Sequence, residues 1–270
     1  MYRIIFTIVA VLLFVAPSQA VKVEQGGKIL TEHAVQMGGK RSPLKPNAPV
    51  QTSAGTFYGV SFVTETPACA SPFANFPATF EGTGTCASQE TAVTSSSNTD
   101  CDYTTSPIVD TQSAKVSGGT PGLATLSGNS VYPAQSGNLQ LAWYHRIDQA
   151  ATTNTEFFAP ATGGASNQAK LYTQPSGKLL LIGPGFCALD FDADGTALTV
   201  GTNYKVCYRA DLPNSNHTVY VDPVDGEWCA GAHTVLATTC GTPVTGNNGY
   251  IFQSNNSYHY VIDDLTACTY

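Results

Sequence analysis

The segment Asp190-Phe191-Asp192-Ala193-Asp194-Gly195 sets three carboxylates at alternate positions ahead of a glycine. A D-x-D-x-D-G run can wrap oxygen ligands around a hard cation, Ca2+ above all, as the first half of an EF-hand loop does. Two features oppose that chemistry. The twelfth position, where a bidentate glutamate would close the site, is Gly201, and no helical pattern flanks the run. The competing reading is an acidic turn in water, with Asp194-Gly195 as its turn pair. Asp190, Asp192 and Asp194 are the candidate metal ligands, and Ca2+ is the one cofactor the sequence suggests.

Other residues capable of chemistry lack the company that chemistry needs. Asp263-Asp264 sits near the end of a β-like run, where adjacent side chains point to opposite faces. The two carboxylates therefore do not converge as acid and base, and a solvated edge or a single structural hydrogen bond is expected. Five histidines and many serines are present, but no G-x-S-x-G elbow accompanies them. His145 falls on the more apolar face of an alternating strand and is expected as a hydrogen-bonded core or rim residue. His33, His217, His233 and His259 are read as structural or surface groups, and no catalytic residue is assigned.

The eight cysteines, Cys69, Cys86, Cys101, Cys187, Cys207, Cys229, Cys240 and Cys268, contain no C-x-x-C pair and stand at no zinc spacing from a histidine. They are read as disulfides, which persist outside the cytosol. Eight cysteines allow about a hundred complete pairings. Local spacing suggests Cys86 with Cys101, Cys187 with Cys207 and Cys229 with Cys240, leaving Cys69 to Cys268.

Aromatic side chains offer the better binding surface. Tyr144, Tyr172, Tyr208, Tyr220, Trp228, Tyr258 and Tyr260 lie in strand-like runs or turns, and most such rings are expected to fill the core. Trp228, in the turn-rich Pro223 to Cys229 segment, is the preferred exposed ring. With Tyr144 and Arg146 it forms the candidate ligand site, rings stacking on a sugar face while the guanidinium bonds hydroxyls.

These residues need elements to position them. From Ala78 onward, short β-favouring runs alternate with turn residues: Ala78–Glu81, Ser113–Ser117, Leu123–Ser127, Asn138–Ile147, Thr155–Ala159, Ala169–Gln174, Lys178–Ile182, Asn203–Ala210, His217–Val221, Gly249–Gln253 and Ser257–Ala267. Many short strands at close intervals predict a sandwich or barrel rather than βαβ units. Within the longest run, Leu139, Leu141, Trp143, His145 and Ile147 share one face, and Gln140, Ala142, Tyr144 and Arg146 the other. Lys170 to Ile182 reads as a hairpin turning at Pro175-Ser176-Gly177.

Arg3, the apolar Ile4 to Ala16 and the small residues ending at Ala20 have the three parts of a secretory signal. Residues 21–77, with Gly26-Gly27, Gly38-Gly39 and the spaced Pro43, Pro46 and Pro49, read as a linker or extended arm with one strand over Gly55–Thr64. The sandwich is assigned to 78–270. A net charge of −7 with twelve Lys plus Arg excludes a phosphate-backbone partner. Charged residues make up 11% of the chain, against about 25% in ordinary soluble domains. Such a surface suits neutral, hydroxyl-rich ligands. Asn216-His217-Thr218 and Asn255-Asn256-Ser257 match the glycosylation acceptor pattern.

The order of these motifs resembles the laminin-G-like, concanavalin A-like jelly rolls. The resemblance runs from Phe80-Glu81-Gly82-Thr83-Gly84 through Asp102-Tyr103-Thr104-Thr105-Ser106-Pro107, Thr111 to Val116 and Leu139 to Ile147. It continues with Leu171 to Ile182, Asn203 to Tyr208, His217 to Asp222 and Tyr260 to Leu265. It implies an all-β jelly-roll sandwich and, as ligands, carbohydrate or calcium. The E-x-D-x-x-E motif of the glycoside hydrolases in that superfamily is missing.

The expectation is a secreted or cell-surface, lectin-like protein, non-enzymatic, whose partner is a glycan or surface polysaccharide. The alternative is a structural or assembly component that self-associates through its N-terminal arm, and a polysaccharide-degrading enzyme ranks third.

Overall fold

A computed structural model describes residues 35–37, 40–42, 44–52, 55–62, 68–118, 123–161, 169–184, 189–191, 197–224, 227–229, 234–238, 245–255 and 257–270. By its internal contacts the chain divides into two compact units, Met1–Glu65 and Thr66–Tyr270. The first carries two antiparallel hairpins, β1 (Val35–Met37) with β2 (Lys40–Ser42), and β3 (Leu44–Thr52) with β4 (Gly55–Phe62). The strand expected over Gly55–Thr64 is β4. Its partner β3 contains Pro46 and Pro49, residues that argue locally against a strand, and the register shifts between those two prolines.

The second unit carries one short helix, α1 (Cys86–Gln89), and the strands β5 (Ser95–Ser97), β6 (Thr99–Tyr103), β7 (Ser113–Ser117), β8 (Ala124–Gly128), β9 (Asn138–Gln149), β10 (Thr155–Ala161), β11 (Lys170–Thr173), β12 (Leu179–Ile182), β13 (Leu189–Phe191), β14 (Asn203–Asp211), β15 (Asn216–Pro223), β16 (Thr234–Thr238), β17 (Gly249–Ser254) and β18 (His259–Cys268). They form two seven-stranded sheets, ordered β13-β12-β11-β10-β17-β8-β5 and β16-β15-β14-β9-β18-β7-β6. Every pairing among the described residues is antiparallel. The second unit is thus an all-β sandwich of two antiparallel sheets.

The core follows from the period-2 pattern. In β9, Leu139, Leu141, Trp143 and Ile147 turn inward and are buried. Trp143 meets Phe158 of β10 at a centroid distance of 4.6 Å and Phe252 of β17 edge-on at 5.1 Å, so its ring ties the two sheets together. His145, on the same inner face, shares a hydrogen bond of 3.0 Å through Nε2 with Tyr258 Oη and lies between Phe157 and Tyr260. It is the core histidine that its strand position predicts. The unbroken Leu179–Ile182 run is buried throughout, as an apolar strand flanked on both sides must be. The turn before it closes with Gly177 N–H donating to Gln174 O at 2.9 Å, and Gly177 takes a φ of 81° that favours glycine.

The boundary expected at Ala78 requires correction. Residues 68–77 belong to the sandwich: Cys69 is bonded to Cys268, Phe73 N–H donates to Ala267 O at 2.8 Å, and Phe76 is buried in the core. The Pro- and Phe-bearing segment Ser71-Pro72-Phe73 to Phe76-Pro77 lacks strand periodicity, yet its rings supply core surface, Phe73 stacking on Tyr132 at 5.1 Å. The expected strand Ala78–Glu81 reduces to a single bridge between Ala78 and Leu265.

Candidate functional site

The outer face of the sheet that contains β9 is built from residues that the alternation turns away from the core. The register aligns Gln140 with Arg209, Ala142 with Cys207, and Tyr144 with Lys205. It continues onto β15, where Arg209 faces Thr218, Cys207 faces Tyr220, and Lys205 faces Asp222. Three cross-strand rows result: Tyr144-Lys205-Asp222, Ala142-Cys207-Tyr220 and Gln140-Arg209-Thr218.

The middle row explains the site. Ala142 is small, and beside it Cys207 rises from the sheet into a disulfide with Cys229. That bond pins the turn that follows β15 down over the face. Trp228 is thereby held edge-on against Tyr144, centroids 5.0 Å apart, with Lys205 Nζ 5.3 Å from its ring centroid. Ala68 and Tyr220 pack on the same small cluster. Tyr144 is buried, and Trp228 half-buried rather than standing free in water.

Arg146 lies two residues beyond Tyr144 on this face but is already committed. It is only 6% exposed, donates from Nε to Asp148 Oδ1 at 2.9 Å and from Nη1 to Ser106 Oγ at 3.2 Å. Asp148 also holds Lys115 Nζ at 3.2 Å. The structure thus brings Trp228 and Tyr144 into contact and leaves Arg146, two residues along β9, as a buried cation paired with Asp148.

Asp263 also belongs to this face, opposite Tyr144 in the register. The expected solvated edge is corrected to full burial. Its carboxyl accepts from Val109 N–H at 3.0 Å, Ser113 Oγ–H at 2.8 Å and Asp264 N–H at 2.9 Å, fastening the 106–110 loop over the strand. The local cause is that loop, which covers a position that the regular pairing with Tyr144 would leave on the outer face. Burial, then the neighbouring Asp264, push its pKa up to about 8, against the three donors.

Sequence reasoning passed over Lys205, Arg209, Gln140 and Tyr270. The signal for the first two was present, because the alternation in Asn203-Tyr204-Lys205-Val206-Cys207-Tyr208-Arg209 puts both cations on the face of Cys207. Asp190 lies in β13, while Asp192 and Asp194 fall outside the described residues, as do Cys187 and Cys240. Among the described residues no cluster of three or more His, Cys, Asp or Glu side chains is positioned to hold a metal.

The disulfides are Cys69–Cys268, Cys86–Cys101 and Cys207–Cys229 among the described residues. Cys86–Cys101 agrees with the local spacing, and Cys69–Cys268 is the pair that spacing left over. The third overturns both Cys187 with Cys207 and Cys229 with Cys240: the β14–β15 hairpin returns the chain over Cys207, a proximity that counting along the sequence does not capture.

Fold and site together define a two-sheet β-sandwich with one sheet face that is polar, half-covered and rimmed by aromatic rings. Among solved structures, a Cellulose induced protein, Cip1, is similar at 17% identity and a TM-score of 0.46, over 62% of this chain and 84% of that one. A sialidase is similar at 12% identity and 0.41, over 61% of this chain and 16% of that one. So is a chain from work on botulinum neurotoxin type C, whose cell entry is described as dependent upon interaction with two ganglioside molecules, at 12% identity and 0.40, over 59% and 40%. The chain thus spans well under two thirds of the sialidase and toxin chains. No family model matches it, and no curated protein matches it in sequence.

Proposed function

We propose that this chain is a non-enzymatic, lectin-like carbohydrate-binding or adhesion protein that works outside the cell and engages a glycan on the outer face of the β9 sheet. The observation that carries the reading is Trp228, a half-exposed ring fixed by the Cys207–Cys229 bond and by Tyr144 beside buried polar groups. A rigid aromatic surface meets an apolar sugar face at little entropic cost, and adjoining amides and cations bond the hydroxyls. The three disulfides among the described residues suit an oxidising compartment. Among the described residues no helix is long and apolar enough to cross a membrane. Two carboxylates of this face are placed against hydrolysis, Asp263 buried under a loop and Asp148 taken up by Lys115 and Arg146.

A glycan array probed with the oxidised protein, with calcium and with chelator, tests both the ligand class and the acidic Asp190–Asp194 run as a Ca2+ site. Trp228→Ala is expected to weaken binding at least tenfold while the melting temperature holds. Unchanged affinity would remove Trp228 from the site.

A second reading, assembly through the N-terminal unit, draws on β3 and β4, which pair only with each other among the described residues and leave their outer edges open. Light scattering decides it. Assembly requires a concentration-dependent mass that collapses when residues 21–65 are removed, the cut stopping short of the segment that packs into the sandwich.

A further inference from the structure

We propose that Arg209 is an oxyanion-reading position on this face, so that the glycans bound are acidic ones carrying a carboxylate or a sulfate ester. The inference rests on the glycan-binding reading and adds the charge of the ligand to it.

The argument starts from what Arg209 does with its guanidinium. Nε donates to Gln140 Oε1 at 2.7 Å. Gln140 is itself buried, with its Nε2 held by Ala68 O, so the anchor does not move. The guanidinium carbon lies 4.7 Å from the Tyr270 ring centroid and 5.7 Å from that of Tyr220. One edge of the group is thus bonded and its faces meet two rings. The terminal nitrogens, Nη1 and Nη2, make no hydrogen bond to the described residues, and no carboxylate among those residues lies within ion-pair distance.

Arg146 on the same face shows the contrast, with 6% exposure, a carboxylate on Nε and a hydroxyl on Nη1. Arg209 and Tyr220 are only part-buried, and Tyr270 is 47% exposed, so a ligand can reach the free edge. The nearest acid on the strand, Asp211, shares this face but accepts from Asn214 through N–H at 3.4 Å and Nδ2 at 2.8 Å. A planar fork, oriented through Nε and left open at Nη1 and Nη2, matches the two oxygens of a carboxylate or a sulfate. Lys205, four residues along β14, lies buried beneath Trp228, so Arg209 is the cation of this strand that a ligand can reach.

The test is calorimetric titration of the oxidised full chain with length-matched neutral, uronate-bearing and sulfated oligosaccharides, run on wild type, Arg209→Gln and Arg209→Lys. NMR of the wild-type arginine Nε–H resonances in inorganic sulfate accompanies it. Acidic oligosaccharides are expected to bind roughly ten- to a hundredfold more tightly than neutral ones. Arg209→Gln should abolish that preference and Arg209→Lys restore part of it, and the uronate and sulfate arms identify which oxyanion is read. Equal affinity for neutral and acidic chains, or a preference that survives Arg209→Gln, overturns the inference and leaves the glycan reading standing. If no oligosaccharide binds, the glycan reading falls, and the sulfate titration decides Arg209 alone: a saturable shift of its Nε–H supports the oxyanion site, and no shift ends it. Should Arg209→Gln not fold, Arg209→Lys and the wild-type resonances carry the test.

Discussion

Asp263 is fully buried, accepts three hydrogen bonds and meets no cation among the described residues. Its pKa is raised to about 8, so the folded chain holds the proton more tightly than the unfolded one, and this group's contribution to stability is lost as pH rises from about 4 to about 8. Two buried histidines act in the opposite sense. Burial lowers His145 to about 3 and His217, whose Nδ1 shares a 2.7 Å hydrogen bond with Tyr208 Oη, to about 4. Their contribution is complete above about 6.5 and is lost as pH falls through those values. Between about pH 4 and 6.5 two groups outweigh one, and above 6.5 Asp263 acts alone. Thermal melts across pH should therefore peak near 6.5. In Asp263→Asn the decline between about 6.5 and 8 should disappear, worth on the order of a few kcal/mol, while the acid limb remains. A decline that persists in the variant would mean that another group causes it.

At the level of elements, the turn holding Trp228 depends on one bond. Converting Cys207 and Cys229 together to serine reopens a loop of 22 residues, at a cost of about 3 kcal/mol in the chain-entropy account. Ligand affinity should fall further than that stability loss explains, because Trp228 is then free to leave Tyr144. Calorimetry and melting on the same variant separate the two effects. In the opposite sheet, β8 and β17 meet at Gly128 and Gly249, where a Cβ on Gly249 would stand 2.1 Å from Gly128 O. Backbone cannot yield as a side-chain tip can, so Gly249→Ala should cost roughly 1–3 kcal/mol or more, read as a lowered denaturation midpoint. These strands were legible in proportion to their burial. The alternation over Asn138–Ile147 located β9, and the turn Pro175-Ser176-Gly177 located the β11–β12 hairpin. The triple-serine β5 and the acidic Thr99–Tyr103 β6 escaped notice because both are sheet edges, where no apolar face is imposed on the sequence. Of the candidate site, the face shared by Tyr144 and Arg146 was readable from one strand. The partners across it, Lys205 and Arg209, needed the β9–β14 register, which local patterns do not encode.

Across the molecule, contacts separate Met1–Glu65 from Thr66–Tyr270, and the sandwich has its own core and its own disulfides. A fragment of residues 66–270 should fold alone with a single cooperative transition; a broad, non-cooperative melt would show that the first unit is required. The bond between Cys69 and Cys268 spans 199 residues and so closes almost the whole sandwich into a covalent ring. Tension applied to the chain outside those two residues is carried across 5.9 Å of Cα separation by sulfur, and the sheets bear none of it. The disulfide makes the sandwich a link that does not lengthen under load. Single-molecule stretching should find no release of sandwich length until a reductant is added, after which on the order of 65 nm of hidden chain becomes available.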